Sequence, residues 1–215
     1  MQNVFIAEDQ QVLRDFVGRL VETSRDYHLA GACGDGREAI DLILECRPDV
    51  VVLDVMLPSL QGTEVVRRVK RAMPQLRVLG FSAFSTKASL RQLVEAGADG
   101  LVRKSESLNT LEAGLAQVAA GHTYYSPQIT EMLREMMLKP DQGSAYAELS
   151  TREREIIQLI AESHSNKDVA AKLGISVKTA ETHRNNIMRK LDIHDAVGLT
   201  RYAIAHGFVR ADGYE

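Results

Sequence analysis

Tryptophan is absent from these 215 residues, and six tyrosines and five phenylalanines are the whole aromatic complement. Hydrophobic residues still make up 45%, enough to build cores. Cysteine is as scarce: Cys33 and Cys46 are the only two. Two thiols so placed supply neither a metal-binding pattern nor a disulfide framework, and they fit the reduced thiols of a cytosolic protein. No apolar run approaches the roughly 20 residues of a membrane span. The N-terminus enters Asn3-Val4-Phe5-Ile6-Ala7 with no basic region and long apolar segment. No leader peptide or membrane anchor is therefore expected, and the expected location is cytoplasmic. A net charge of −3 excludes a global electrostatic drive toward nucleic acid or membrane. The length allows one large domain or two small ones.

What is present begins with Val50-Val51-Val52-Leu53, an unbroken apolar run that ends in Asp54. A short, continuous, β-branched run reads as a strand buried on both faces, as in a parallel sheet. Pro58 and Gly62 mark the loop that leaves it. Val4 to Ala7, Leu29 to Cys33, Leu76 to Phe81 and Gly100 to Arg103 are four more such runs. Helical spacing separates them over 10–23, 38–46, 63–73 and 87–96, and a fifth helix follows over 108–120. This alternation predicts an α/β domain with a five-stranded, doubly wound parallel sheet in flavodoxin-like order.

In such a sheet, ligands bind beyond the carboxyl ends of the strands. The residues that end the runs are Glu8 and Asp9, Asp54, Ser82 and Lys104. Two carboxylates ~4 Å apart repel by about 4 kcal/mol at an effective dielectric near 20. A carboxylate cluster therefore favours a hard divalent cation such as Mg²⁺. A lysine and a hydroxyl opposite suit phosphoryl oxygens. The set describes a carboxylate nucleophile that accepts a phosphoryl group.

On these residues, together with Pro58 and Gly62, the stretch 3–121 resembles the receiver domain of bacterial two-component response regulators. The resemblance implies that Glu8 and Asp9 help hold Mg²⁺ with Asp54, and that the backbone carbonyl of Met56 completes the metal shell. It implies that Asp54 takes its phosphoryl group from a sensor histidine kinase, and that Ser82 and Lys104 bind the phosphoryl oxygens. One position departs from the family. An aromatic ring often stands between the fifth-strand glycine and the lysine and turns inward when the hydroxyl residue moves. Here that position is Leu101. Leu101 either fills core or leaves part of the switch to Phe84.

Breakers and small polar residues mark 123–147 as a linker: Ser126-Pro127, Lys139-Pro140 and Asp141-Gln142-Gly143-Ser144. A short helix within it is expected from Ile129 to Leu138, and the domain boundary near 139–147. The expected organisation is a first domain over 1–122, this linker, and a second domain over 148–215.

The second domain reads as four helices. Ser150 and Glu153 form a capping box before the first. A short helix follows Ser165, Gly174 breaks it, and a third runs from Ser176 to Leu191. Two helices about a Gly turn are the helix-turn-helix pattern. Four basic residues face one acidic residue over 176–191, whereas the whole of 148–215 is balanced at ten against ten. The basic charge is therefore local to the third helix. Ser176-Val177-Lys178-Thr179-Ala180-Glu181-Thr182-His183-Arg184 and Ile187-Met188-Arg189-Lys190-Leu191 resemble the LuxR-type DNA-binding domain. The resemblance, over about 148–210, places Lys178, Thr179, Glu181, Thr182, Asn185 and Lys190 at or near DNA. Glu181, Thr182 and Asn185 are the expected base readers. Lys178, Arg184, Arg189 and Lys190 are the expected backbone anchors.

The two domains together have the architecture of NarL/FixJ-type response regulators. The expected protein is a transcription regulator, not an enzyme, that pairs into a homodimer on phosphorylation and binds promoter DNA. Two other readings exist. One is a regulator that dimerises without phosphate. The other is a Mg²⁺-dependent phosphatase with an aspartyl nucleophile, which would want an acid where Met56 stands.

Overall fold

The computed structural model describes residues 1–83, 87–138, 149–191 and 193–209. The chain divides into two units, Met1–Pro140 and Asp141–Glu215. In the first, strands and helices alternate: β1 (Gln2–Ala7), α1 (Gln11–Thr23), β2 (Tyr27–Cys33), α2 (Gly36–Cys46), β3 (Val50–Leu53), α3 (Gly62–Ala72), β4 (Arg77–Ser82), α4 (Lys87–Glu95), β5 (Gly100–Arg103) and α5 (Leu108–Ala119). Two further elements follow, β6 (Tyr124–Tyr125) and α6 (Pro127–Leu138). All strand pairs are parallel, in the order β2-β1-β3-β4-β5-β6.

Successive strand residues point to opposite faces, so each apolar run serves two cores. Val4, Ile6, Val50, Val52, Leu79, Phe81 and Val102 pack with Val17, Val21, Leu111 and Leu115 of α1 and α5. Phe5, Val51, Leu53, Val78 and Leu101 face the other way, toward α2, α3, α4 and α6. Burial on both faces is why the strands read as continuous hydrophobic runs.

The sheet has a sixth strand that the five-strand expectation lacked. Tyr124 N–H donates to Asp99 O at 3.1 Å and Ser126 N–H to Leu101 O at 3.0 Å, which binds β6 to the edge of β5. A two-residue strand carries no periodic pattern, so its residues read as linker. The helix expected in that linker is α6, and it belongs to the first unit. Its Ile129 is fully buried in the core with Leu90, Leu93 and Leu101, and Met132, Leu133 and Met136 pack beside it. The first unit thus extends past residue 122, because the Met-rich face of α6 covers β5 and α4. Phe84 and the expected boundary at 139–147 lie outside the described residues.

The second unit contains α7 (Thr151–Ala161), α8 (Asn166–Leu173), α9 (Val177–Leu191) and α10 (Ala196–Ala205). The capping box that opens α7 is present: Ser150 Oγ accepts from Glu153 N–H, and Glu153 accepts from Ser150 N–H at 2.8 Å. Ser165 and Asp168 form a second box on α8, and Gly174, at φ 63°, ends that helix. Ile156, Ile157, Val169, Ala180, Ile187, Leu199 and Phe208 form the core. Among the described residues, no helix is long and apolar enough to cross a membrane.

Candidate functional site

Five side chains from four strand ends meet above the sheet. Glu8 and Asp9 follow β1, and Asp54 follows β3 with its N–H on Ala7 O at 2.8 Å. Ser82 is the last residue of β4, and Lys104 follows β5. Ser82 Oγ donates to Asp54 Oδ1 at 3.0 Å. Lys104 Nζ lies 2.7 Å from Asp54 Oδ2 and 2.6 Å from Glu8 Oε2. Glu8, Asp54 and Ser82 are buried, and Asp9 is half-buried.

The loop after β3 is fitted to this arrangement. Met56 N–H donates to Asp54 Oδ1 at 2.9 Å, which orients the carboxylate. Gly62, at the start of α3, lies against the main chain of Asp54. A Cβ on it would stand 2.3 Å from Asp54 O and 2.8 Å from Val55 Cα, so a side chain has no room there. Gly62 N–H donates to Val55 O at 2.9 Å and closes the loop.

Glu8, Asp9 and Asp54 each offer a carboxylate oxygen, and the three oxygens lie within 4.8 Å of one another. Hard oxygen donors at that spacing suit a small divalent cation such as Mg²⁺. Burial, and then the charge of Asp54, push the Glu8 carboxyl up to about 7, against the opposing pull of Lys104. A carboxylate so destabilised gains most from a nearby cation.

Leu101 stands three residues before Lys104 on β5 and is fully buried. Gly80, its partner on β4, provides the space: a Cβ there would be 2.7 Å from both Leu101 Cδ2 and Leu93 Cδ2. Leu101 therefore fills core between β4 and α4.

On α9, Lys178, Thr179, Thr182, Asn185 and Arg189 are exposed and Glu181 is half-exposed. They lie away from Ala180 and Ile187, which face the core. Thr182 Oγ1 donates to Lys178 O at 2.9 Å, and Lys178 Nζ is 3.9 Å from Glu181. Two expected backbone anchors have partners within the unit. Arg184 turns toward α8, with Nη1 3.4 Å from Asn166 Oδ1. Lys190 pairs with Glu153 of the α7 capping box at 2.8 Å.

Arg14, absent from the expected site residues, places its guanidinium on the main chain of Glu8 at 2.6 Å. The available signal was its place in the first turn of the helix that follows the acidic pair.

The two units agree with what comparison with known proteins finds. Residues 4–116 match the response regulator receiver domain, and residues 147–203 match the bacterial regulatory proteins of the luxR family. The chain belongs to the response regulator receiver family and carries a LuxR-type DNA-binding domain: it is a two-component response regulator. It is similar to the response regulator protein VraR of Staphylococcus aureus, at 28% identity over 207 residues, 96% of this chain and 98% of that protein. A LuxR-family two-component response regulator from Aurantimonas sp. SI85-9A1 is 29% identical, with a TM-score of 0.62, over 65% of this chain and 99% of that one. The RcsB response regulator of Salmonella typhimurium shares the fold at a TM-score of 0.69 and 22% identity, over 95% of this chain and 98% of that one.

Proposed function

We propose that this chain is a transcription regulator gated by phosphorylation of Asp54. A sensor histidine kinase supplies the phosphoryl group. An oxygen of Asp54 attacks phosphorus, the bond to the kinase's histidine breaks, and Lys104 and Ser82 receive the phosphoryl oxygens. Glu8, Asp9, Asp54 and the backbone carbonyl of Met56 would hold Mg²⁺, which would supply positive charge to the transferring group. The new group carries about −1.5 to −2 charge. It replaces the direct contacts of Lys104 and Ser82 with Asp54, so both must shift. Two chains then pair, and pairing presents two copies of α9 to two half-sites of promoter DNA. On each copy, Glu181, Thr182 and Asn185 read bases, while Lys178 and Arg189 contact phosphates.

One observation carries this reading. Two carboxylates, Glu8 and Asp9, converge on the buried Asp54, which also holds a lysine and a hydroxyl, in a chain with a helix-turn-helix. Met56 is no acid, so a leaving group would receive no proton from that position, which disfavours steady phosphatase turnover.

Leu101 favours a second reading, in which the chain dimerises without phosphate, since the family's inward-turning ring is missing. Gel filtration with and without acetyl phosphate in Mg²⁺, paired with binding to a random DNA library, separates the two. An earlier elution and tighter DNA binding with the phosphodonor support phosphorylation gating. Dimerisation and DNA binding that ignore the phosphodonor support the second reading.

A further inference from the structure

Helix α1 opens without a side-chain cap, since Gln10 at its N-cap makes no side-chain bond to the helix. The first turn closes when Arg14 N–H donates to Gln10 O at 2.9 Å. The Arg14 side chain then folds back over that turn. Its Nη1 donates to Glu8 O at 2.6 Å and reaches Asp9 O at 3.5 Å. These carbonyls belong to the two residues whose carboxylates face Asp54. From the other side, Glu8 N–H donates to Cys33 O at 3.0 Å. Gly34 leaves the space that the guanidinium fills: a Cβ there would be 2.8 Å from Arg14 Nη1, but 3.6 Å from both Asp9 Cα and Glu8 O.

We infer that Arg14 is a positioning residue for the acidic pair. It fixes the main chain of Glu8 and Asp9 from behind, so that both carboxylates face Asp54. Donors that orient ligand residues without touching the metal commonly govern metal affinity. The inference rests on the reading of Glu8, Asp9 and Asp54 as a Mg²⁺ site.

The test is calorimetric titration of Mg²⁺ alone into the full chain, without phosphodonor. Arg14→Ala is expected to weaken Mg²⁺ binding about 10-fold. Arg14→Lys keeps the charge but loses the planar fork, and it should recover part of the loss. Gly34→Ala keeps Arg14 but displaces its guanidinium with a methyl group, and it should weaken binding in the same direction. The Mg²⁺-induced rise in melting temperature should shrink in parallel, with a smaller change in the metal-free melting temperature. Wild-type Mg²⁺ affinity in Arg14→Ala would overturn the inference and leave the site reading intact. No Mg²⁺ binding by the wild type would overturn the site reading, and the inference with it.

Discussion

Lys104 Nζ lies 2.7 Å from Asp54 Oδ2, two side chains that stand 50 residues apart in the chain and meet where neither is exposed by more than 9%. The same ammonium is 2.6 Å from Glu8 Oε2. One cation thus sits between two buried acids. Lys104→Ala leaves both uncompensated, and removing one partner of a buried pair costs about 3 kcal/mol. Urea denaturation in EDTA should show a loss of that size, and added Mg²⁺ should return part of it. Phosphoryl uptake should slow in the same variant.

Gly62→Ala should be costly for a different reason. The new Cβ would stand 2.3 Å from Asp54 O, and main-chain atoms cannot yield as a side-chain end does. Overpacking of this kind costs about 1–3 kcal/mol. The expected outcome is a lower denaturation midpoint together with slower labelling of Asp54. Unchanged stability would mean that the loop can move away from the glycine.

How legible was this site in the sequence? The strand ends were, because a run buried on both faces stays apolar until it reaches the sheet's rim. Asp54 and Ser82 therefore announce themselves as the first polar residues of Val50–Asp54 and Val78–Ser82. The edge strand β6 was not legible, since two residues have no period and the bonds that define it run to Asp99 and Leu101. Arg184 and Lys190 are expected as backbone anchors, from their charge and, for Lys190, from the LuxR-type resemblance, and their partners within the unit carry no sequence pattern. Arg184 stands four residues after Ala180 and three before Ile187, and Lys190 three after Ile187, so helical geometry carries both to the flanks of the buried stripe. Arg14 has no periodic signature, because a side chain bonded to a carbonyl produces none, and its place in the first turn after the acidic pair is the one signal it gives.

The pH dependence of stability follows from Glu8. Burial, and then Asp54, raise its carboxyl from 4.5 to about 7. Between these values the folded chain holds a proton that the unfolded chain releases. The stabilisation is complete below 4.5 and is lost as pH rises through about 7. Melting temperatures measured in EDTA should fall across this window, and Glu8→Gln, which cannot titrate, should remove that component. Mg²⁺ competes with the proton, so its stabilising effect should grow as the pH rises. A metal-free profile identical in wild type and Glu8→Gln would contradict the assignment.

Four single substitutions divide α9 by role. Asn185→Ala should cost about 1–3 kcal/mol on a preferred DNA site and relax sequence preference there. Lys178→Ala should weaken binding to all sequences alike and lower the salt dependence by about one ion. Arg184→Ala should disturb the approach of α8 to α9 and leave the salt dependence unchanged. Lys190→Ala should lower the stability of the second unit by about 1 kcal/mol. Burial tends to raise the Glu153 carboxyl, but hydrogen bonds from Lys190 and Ser150 hold it below its ordinary range. Quantitative DNA binding at several salt concentrations, with thermal melts of the same proteins, separates these effects.

The convergence of Glu8, Asp9, Asp54, Ser82 and Lys104 on one phosphoacceptor is tested most directly by locating the label. The protein is incubated with acetyl phosphate and Mg²⁺, digested, and analysed by mass spectrometry. The phosphoryl group should sit on the peptide that contains Asp54, with none on the Asp54→Asn protein. Equal labelling of Asp54→Asn, or a label on a different peptide, would contradict the account.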